Sequence, residues 1–585
     1  MPARSRGPVP SERLVDGGRR GRLSLIGVGL VTLMSTLAIV ATYTELSHTW
    51  DEGIHLAAGL ELLQDGRYAL QTENPPVARV ALAVIPYLSG ARLPPPDRRP
   101  SGFAADLFYR TPRYVRHVTE ARLANLLFFW AAVGLTWLLA GGRADPRVAF
   151  LAAASVATLA PIVAHAGLAT TDVGFLASFL LTMLALRRAL ARPTLRSMLL
   201  LGAATGVAIA TKFSTLVFLP PAAAAVVACR YWDRRRGWAR ALAGPRLWRA
   251  LVTVAIAAVL VTWGCYGFRV GRLADLPTRI SYGEVPASGW PGRIRSWPIP
   301  GHEIVHGLLF VKAHAAAGHR ATLLGEYSQR GFWLFYPVVL LTKAPMPFLL
   351  FTGIGLWGLC TGPAGPERRW FAGLGLAALG VLLAALASPI NLGVRHVLVI
   401  YPLVGLAAAY GLARRAETSR RGSWLITAGV GCIALQLGLL ALAVPNQLTY
   451  FNLLAGSSPA YVSSDSDFDW GQDMLALERY FASHRVPELH VQLSGTTRAC
   501  LHGLPPLRAL PIHPVTGWIA VSERIYQLNR GPIRRDPCGP PGGANRIMAD
   551  PGWLDWLKPY RPVAIVGRTV RLYHIAPPEP EMQQK

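Results

Sequence analysis

The 585-residue chain is 52% hydrophobic and 16% charged, against roughly 25% charged in soluble globular proteins, and its mean hydropathy is +0.32. Its net charge of +27 comes almost wholly from arginine, since Lys212, Lys312, Lys343, Lys558 and Lys585 are the only lysines. The arginines fall in short clusters between long apolar runs, which is the positive-inside pattern of a polytopic membrane protein and excludes a nucleic-acid binder as the first reading. Six cysteines in a chain of this length make no disulfide framework, and the apolar content excludes a disordered chain.

A helix needs about 20 apolar residues to cross the hydrocarbon layer, and windows bounded by arginine give eleven expected spans. Leu23 to Thr44 follows Arg4, Arg6, Arg13, Arg19, Arg20 and Arg22, which places residues 1–22 in the cytoplasm and makes the first span an uncleaved anchor. Leu123 to Gly142 returns to Arg143 and Arg147. Val148 to Thr171 and Val173 to Leu186 form a hairpin closed by Arg187, Arg188, Arg192 and Arg196. Ser197 to Thr211 and Phe213 to Cys229 form a second hairpin, closed by Arg230, Arg234, Arg235, Arg236 and Arg240. Ala250 to Phe268, Gly331 to Cys360, Trp370 to Ser388, Val397 to Ala413 and Ser423 to Val444 complete the set, with Arg368, Arg369, Arg414, Arg415, Arg420 and Arg421 on the inner side.

The chain thus divides into a cytoplasmic tail (1–22), a transmembrane domain (23–444) with outer loops 45–122 and 269–330, and an extracytoplasmic domain (445–585). In the last part, LHVQL, WIAVS, VAIVG and VRLYHI alternate with turn residues, as expected of short strands in a small α/β domain. Cys500 and Cys538 lie there, where a disulfide is expected to be stable. The other cysteines lie in or beside spans and read as small packing residues.

Ionisable groups at membrane depth are costly and mark function. Here they gather at the outer ends of the spans: Asp51 and Glu52 after the first, Glu73 in QTENPPVARV, Asp172 at the tip of the first hairpin, Lys212 at the tip of the second, Lys343 in LTKAPMPF, and Arg395 and His396 before the tenth span. The window holding Val173 to Leu186 has 14 residues, about 21 Å of helix, so Asp172 is expected at the membrane edge, where it needs partners. Carboxylates and cations meeting at an outer membrane face suit sugar transfer from a polyprenyl-phosphate carrier. Cations such as Lys343, Arg395, His396 and Lys212 would hold the leaving phosphate, and a carboxylate would take the proton of an acceptor hydroxyl.

The Asp-Glu pair after the first span, Glu73 before Pro-Pro, the Thr-Thr-Asp hairpin tip, TKFS, GHRATLLGEYSQRGFWLFYPVVLLTKAPMP, INLGVRHVLVIYP and YFNLLAGSSPAYVSSDSDFDWGQD together resemble the bacterial branch of the protein O-mannosyltransferase-like glycosyltransferases, family 39 in the wide sense, within the C-type, lipid-carrier-dependent superfamily. The first outer loop is also similar to that of the aminoarabinose lipid A transferase. The resemblance spans about residues 40–475. It implies Asp51 as catalytic base, a donor or metal region at Glu73, and a polyprenyl-phosphate sugar as donor; beside these, Glu52 is the alternate base, and Glu73 and Asp172 are the expected acceptor or metal region. The expected acceptor is a hydroxyl on a protein, lipid or glycan, and the expected location is the bacterial plasma membrane. A divalent cation at Glu73 and Asp172 is left open as a cofactor. Where the aminoarabinose enzyme has Lys after the first-loop Glu, this chain has Asn74, and loop 269–330 has no room for the large β-trefoil of the eukaryotic enzymes.

Two rival readings remain. His302-Glu303-Ile304-Val305-His306 fits H-E-x-x-H, the zinc-protease pattern, but Leu309 and Lys312 stand where the extended motif needs Gly and His. His314 and His319, nearby, read as bordering the donor site or capping structure. A transporter would suit eleven spans, yet inverted repeats and mid-membrane charges are missing.

Overall fold

The computed structural model describes residues 10–95, 102–231, 245–277, 279–280, 283–284, 289–363, 365–420, 422–539 and 545–577. Arg4, Arg6, Arg234, Arg235, Arg236, Arg240 and Arg421, used above to orient the spans, lie outside them.

Each of the eleven expected windows coincides with a helix. Among the described residues, Arg19–Val40, Tyr114–Leu139, Asp172–Ala191, Pro245–Cys265, Pro366–Leu386 and Ser423–Ala443 are long and apolar enough to cross a membrane unaided. Two further windows are broken helices. Pro146–Ala157 and Ala160–Ala166 meet at 61°, and Phe335–Lys343 and Met346–Thr361 meet at 106°. Counting each bent pair as one span gives eight. Leu195–Thr211 and Ser214–Arg230 are apolar but only 17 residues each, and the tenth window lies within Ile400–Thr418, which ends in the polar run ARRAET. The chain is an integral membrane protein of mostly helical fold, and the count of crossings rests on these three shorter or more polar helices.

Helix starts follow local chemistry. Asp145 caps Pro146–Ala157 by accepting from the Val148 N–H, and Thr194 and Ser197 form a reciprocal capping box before Leu195–Thr211. Small residues let helices approach closely: a Cβ on Gly411 would lie within 2.0 Å of the Gly355 carbonyl, so Met346–Thr361 and Ile400–Thr418 meet backbone to backbone. One apolar core runs through the bundle from Ile39 and Phe129 to Phe179, Phe348, Leu374 and Leu406.

The sequence reading gave no elements for outer loop 45–122. It folds into helices Glu52–Asp65, Pro76–Leu88, Phe103–Asp106 and Tyr114–Arg122 around Leu56, Leu60, Leu82, Phe108 and Val118. Beyond the last span the chain forms a five-stranded mixed sheet. Its order is Ala564–Val566, Val570–Ile575, Gly517–Ser522, Leu489–Gln492, Leu507–Ala509, with the last two pairings parallel. All four expected strand segments are in it. Residues alternate between two faces: Ala520 and Leu572 pack with Leu477 and Phe481 of the Met474–Ser483 helix, while Ile519, Val521 and Tyr573 pack with Trp553 and Leu557. Cys500 and Cys538 are bonded.

Candidate active site

The site starts from a fully buried ion pair. Glu52 accepts from Arg122 Nε (2.8 Å) and the Ala169 N–H (2.7 Å) at Oε1, and from Arg122 Nη2 (2.9 Å) and the Thr49 N–H (2.7 Å) at Oε2. Arg122 also donates to the Leu46 and Ser47 carbonyls at 2.9 Å. This carboxylate clamps the end of the first span to the second span and to the loop before Asp172. It has no oxygen left for an acceptor, so the structure sets Glu52 in the scaffold.

Asp51, one residue earlier, faces differently. It precedes the Glu52–Asp65 helix, caps nothing, and lies in the wall of a cavity of about 1090 Å³. Its Oδ2 accepts from Arg395 Nη1 at 3.0 Å. Arg395 stands 3.7 Å from Asp172 Oδ2, and Asp172 Oδ1 pairs with Lys212 Nζ at 2.6 Å. The result is a row of alternating charge, Asp51–Arg395–Asp172–Lys212, drawn from four separate parts of the chain. Asp51, Arg395 and Lys212 line the cavity, and Asp172, 1% exposed, stands behind them as the shared counter-charge.

Each member is held. Arg395 Nε donates to the Leu392 carbonyl and Ser466 Oγ, and its guanidinium lies 4.2 Å from the Trp470 ring centroid. The turn before it needs Gly393 at φ +81, where a Cβ would meet Asp467 Oδ1 at 2.7 Å. Lys212 sits in the extended break between two short helices. His396 lines the cavity against Tyr336 and Phe218. Burial, with Lys212 adding, holds its imidazole down at about 3, so it is neutral.

Glu73 also reaches the cavity wall. Its Oε1 accepts from Gln71 Nε2 at 2.6 Å, and Gln71 is held by the buried Arg79. Burial pushes the Glu73 carboxyl up to about 7, opposed by Arg79 and Arg395 and helped by Asp51. Glu73 therefore gains a negative charge as pH rises through about 7. If the cavity takes a phosphodiester, whose single charge does not change there, the KM for that ligand rises across this range in the native protein. In Glu73→Gln the rise is expected to flatten, as kinetics between about pH 6 and 8 would record. A rise equally steep in both proteins would assign the titration elsewhere.

Lys343 is not brought to the cavity. Its Nζ donates to the Leu448 and Asp467 carbonyls at 2.7 Å each and lies 4.4 Å from the Phe451 ring centroid. It ties the chain after the last span to the bundle, which corrects the sequence reading of a phosphate contact there. At Glu73 and Asp172, left open above for a divalent cation, Glu73 Oε1 accepts from Gln71, Asp172 Oδ1 pairs with Lys212, and Asp172 Oδ2 stands 3.7 Å from Arg395. Among the described residues no group of three His, Cys, Asp or Glu side chains is placed to hold a metal. In the HExxH string, Glu303 pairs with Arg269 at 3.0 Å, and both His306 nitrogens are used, by Thr72 Oγ1 and the Pro277 carbonyl. The zinc-protease reading fails on this geometry.

The cavity also contains His319, read from the sequence as bordering the donor site or capping structure, and residues that sequence reasoning did not single out. His319 joins Asp465 at 3.3 Å, and Asp465 meets Arg524 at 3.3 Å. Arg320, Arg530, Arg534 and Arg546 are further cations in its wall, which Trp50 and Trp470 also line. Asp465 lies in the quoted string SSDSDFDWGQD, and the acid run was its only signal.

Residues 115–263 match the family model described as dolichyl-phosphate-mannose-protein mannosyltransferase. The match covers about a quarter of the chain and includes the Thr-Thr-Asp tip and TKFS, so the resemblance to protein O-mannosyltransferase-like enzymes read from the motifs is borne out over that segment. Asp51, Glu73 and Arg395 lie outside it. No curated protein matches the sequence. Among solved structures, ArnT from Cupriavidus metallidurans bound to undecaprenyl phosphate overlays with a TM-score of 0.44 at 15% identity, covering 87% of this chain and 97% of that one. Archaeal oligosaccharyltransferase AglB from Archaeoglobus fulgidus, in complex with an inhibitory peptide and a dolichol-phosphate, overlays at 0.42 and 10% identity, covering 90% of this chain and 75% of that one. Neither overlay is close enough to carry a residue's role across.

Proposed function

We propose that this protein is a membrane glycosyltransferase that moves a sugar, mannose or a similar hexose, from a polyprenyl-phosphate carrier to a hydroxyl acceptor on the outer face of the bacterial plasma membrane. The observation that carries the reading is the row Asp51–Arg395–Asp172–Lys212 beside a large cavity at the outer ends of apolar helices. A lipid tail requires a site at the membrane edge, and Lys212 and Arg395 supply cations for a phosphate whose charge grows as the sugar leaves. Asp51 is the carboxylate at the cavity wall that takes the acceptor's proton. The leaving phosphate needs no proton, so one carboxylate suffices for a single displacement with inversion.

With Lys212→Ala, donor binding is expected to weaken by about 2–5 kcal/mol, because Asp172 then stands behind the phosphate without its cation. Arg395→Ala is expected to lose as much and to lower turnover also, since it releases Asp51. The check is a donor titration with a polyprenyl-phosphate sugar and purified protein, and normal KM in both variants would move the phosphate elsewhere.

The orientation follows from the arginine asymmetry. Single cysteines at Gly66, Arg293 and Gly503 are expected to react with an impermeant thiol reagent from outside intact cells, and one at Arg420 only after lysis. Reaction of the Gly503 reporter only after lysis would place the C-terminal domain in the cytoplasm. A transporter of the lipid-linked sugar is the second reading, and it is separated by product: transport moves the lipid intact, whereas transfer frees polyprenyl phosphate.

A further inference from the structure

The acid run SSDSDFDWGQD, residues 463–473, joins the last span to the five-stranded sheet. Asp465 and Trp470 of this run line the cavity, while Ser466 and Asp467 are buried, 1% and 0% exposed. The Ser466 hydroxyl donates to the Leu392 carbonyl at 2.7 Å and accepts from Arg395 Nε at 3.2 Å. Asp467 Oδ1 accepts from the Val394 N–H at 2.7 Å, and its Oδ2 accepts from Ser463 Oγ at 3.3 Å. Two consecutive residues thus grip the turn that carries Arg395, one at a carbonyl and one at an N–H, and an ionised acceptor makes the second grip the stronger.

The same run holds the other partner of Arg395. The Trp50 N–H donates to the Trp470 carbonyl at 3.1 Å, so the residue before Asp51 is tied to the one whose ring lies against Arg395. Farther along, Asp469 Oδ2 accepts from the Arg524 N–H at 2.9 Å, and Asp473 Oδ2 accepts from the Arg568 and Thr569 N–H groups at 2.7 and 3.0 Å. These contacts fix the run to the C-terminal domain. Asp467, Asp469 and Asp473 all accept from backbone N–H groups, so their charge sets geometry.

That geometry decides how Arg395 meets Asp51. A guanidinium free to turn pairs with a carboxylate bidentately, through two of its nitrogens at once. Such a pair would draw Arg395 away from a donor phosphate and would stabilise Asp51 as an anion, which weakens it as a base. Here Nε is directed to the Leu392 carbonyl and Ser466 Oγ, which closes the Nε edge of the fork, and Asp51 Oδ2 accepts from Nη1.

We propose that Ser466 and Asp467 are positioning residues for Arg395: they hold its guanidinium so that it stays available to the donor phosphate and leaves Asp51 able to take a proton. The proposal rests on the glycosyltransferase reading and extends its site to two residues that act through another.

The test is a double-mutant cycle on the purified full-length protein, with Ser466→Ala, Arg395→Lys and the two combined. Ser466→Ala is expected to lower kcat for sugar transfer about tenfold at a native melting temperature. Lysine keeps the cation but has no Nε, so beside Arg395→Lys the same change is expected to cost less than about twofold. Asp467→Ala is expected to lose as much as Ser466→Ala, and Asp467→Asn, which keeps an oxygen for the Val394 N–H, to recover to within about threefold of native. A fall in melting temperature confined to Asp467→Ala leaves the Ser466 cycle to decide. An unchanged kcat in Ser466→Ala, or an equal loss in both backgrounds, would overturn the proposal. If the native protein frees no polyprenyl phosphate from a polyprenyl-phosphate sugar, the glycosyltransferase reading falls, and the cycle is read on affinity for polyprenyl phosphate in nanodiscs. There, a loss of about threefold or more from Ser466→Ala that vanishes beside Arg395→Lys would still show Arg395 to be positioned by Ser466, and equal losses or none would end the proposal.

Discussion

Asp51→Asn is expected to fold, to bind the donor lipid and to fail in transfer by about 10² to 10⁴-fold, the usual contribution of a positioned general base. The substitution keeps the side chain's size and its hydrogen bond from Arg395, which is 3.0 Å from Oδ2, and removes only the basicity. The loss should therefore appear in kcat with donor KM little changed. Wild-type kcat in this variant, with native melting behaviour, would remove Asp51 from the chemistry.

Glu52→Gln is expected to give the opposite pattern, with stability lost before chemistry. Breaking a buried ion pair leaves the other charge uncompensated, at a cost of about 3–5 kcal/mol. The Arg122 side chain here is wholly buried and also supports the Leu46 and Ser47 carbonyls. The melting temperature of purified Glu52→Gln should fall well below that of Asp51→Asn in the same detergent. Replacing both partners with apolar residues, Glu52→Leu with Arg122→Met, should recover part of the loss. A Glu52→Gln protein that melts normally and yet transfers no sugar would pass the base role to Glu52.

The contrast between these two neighbours marks the limit of the sequence. Asp51 and Glu52 were legible as a pair because charges directly after an apolar span are costly and therefore informative. Which of them lines the cavity was not legible, because it depends on Arg122, some 70 residues away, closing on one and leaving the other in the cavity wall. Lys343 misled for a related reason: a lone lysine at the outer interface reads as a ligand for phosphate, and this one is consumed by two carbonyls of the chain beyond the last span. The helical windows were clear because length and hydropathy are local properties. The bends at Ala157–Ala160 and Lys343–Met346 and the helices of the first outer loop were not, since they arise from packing between segments distant in sequence.

The central claim is that this protein breaks the bond between a sugar and its polyprenyl phosphate and delivers the sugar to an acceptor hydroxyl. The measurement that bears on it most directly is the release of polyprenyl phosphate from a labelled polyprenyl-phosphate sugar by the purified protein, with membranes lacking the protein as the acceptor source. The account predicts free polyprenyl phosphate and labelled, inverted product in equal amounts, both abolished in Asp51→Asn. Recovery of the labelled lipid intact on the opposite leaflet, with no free polyprenyl phosphate, would contradict it.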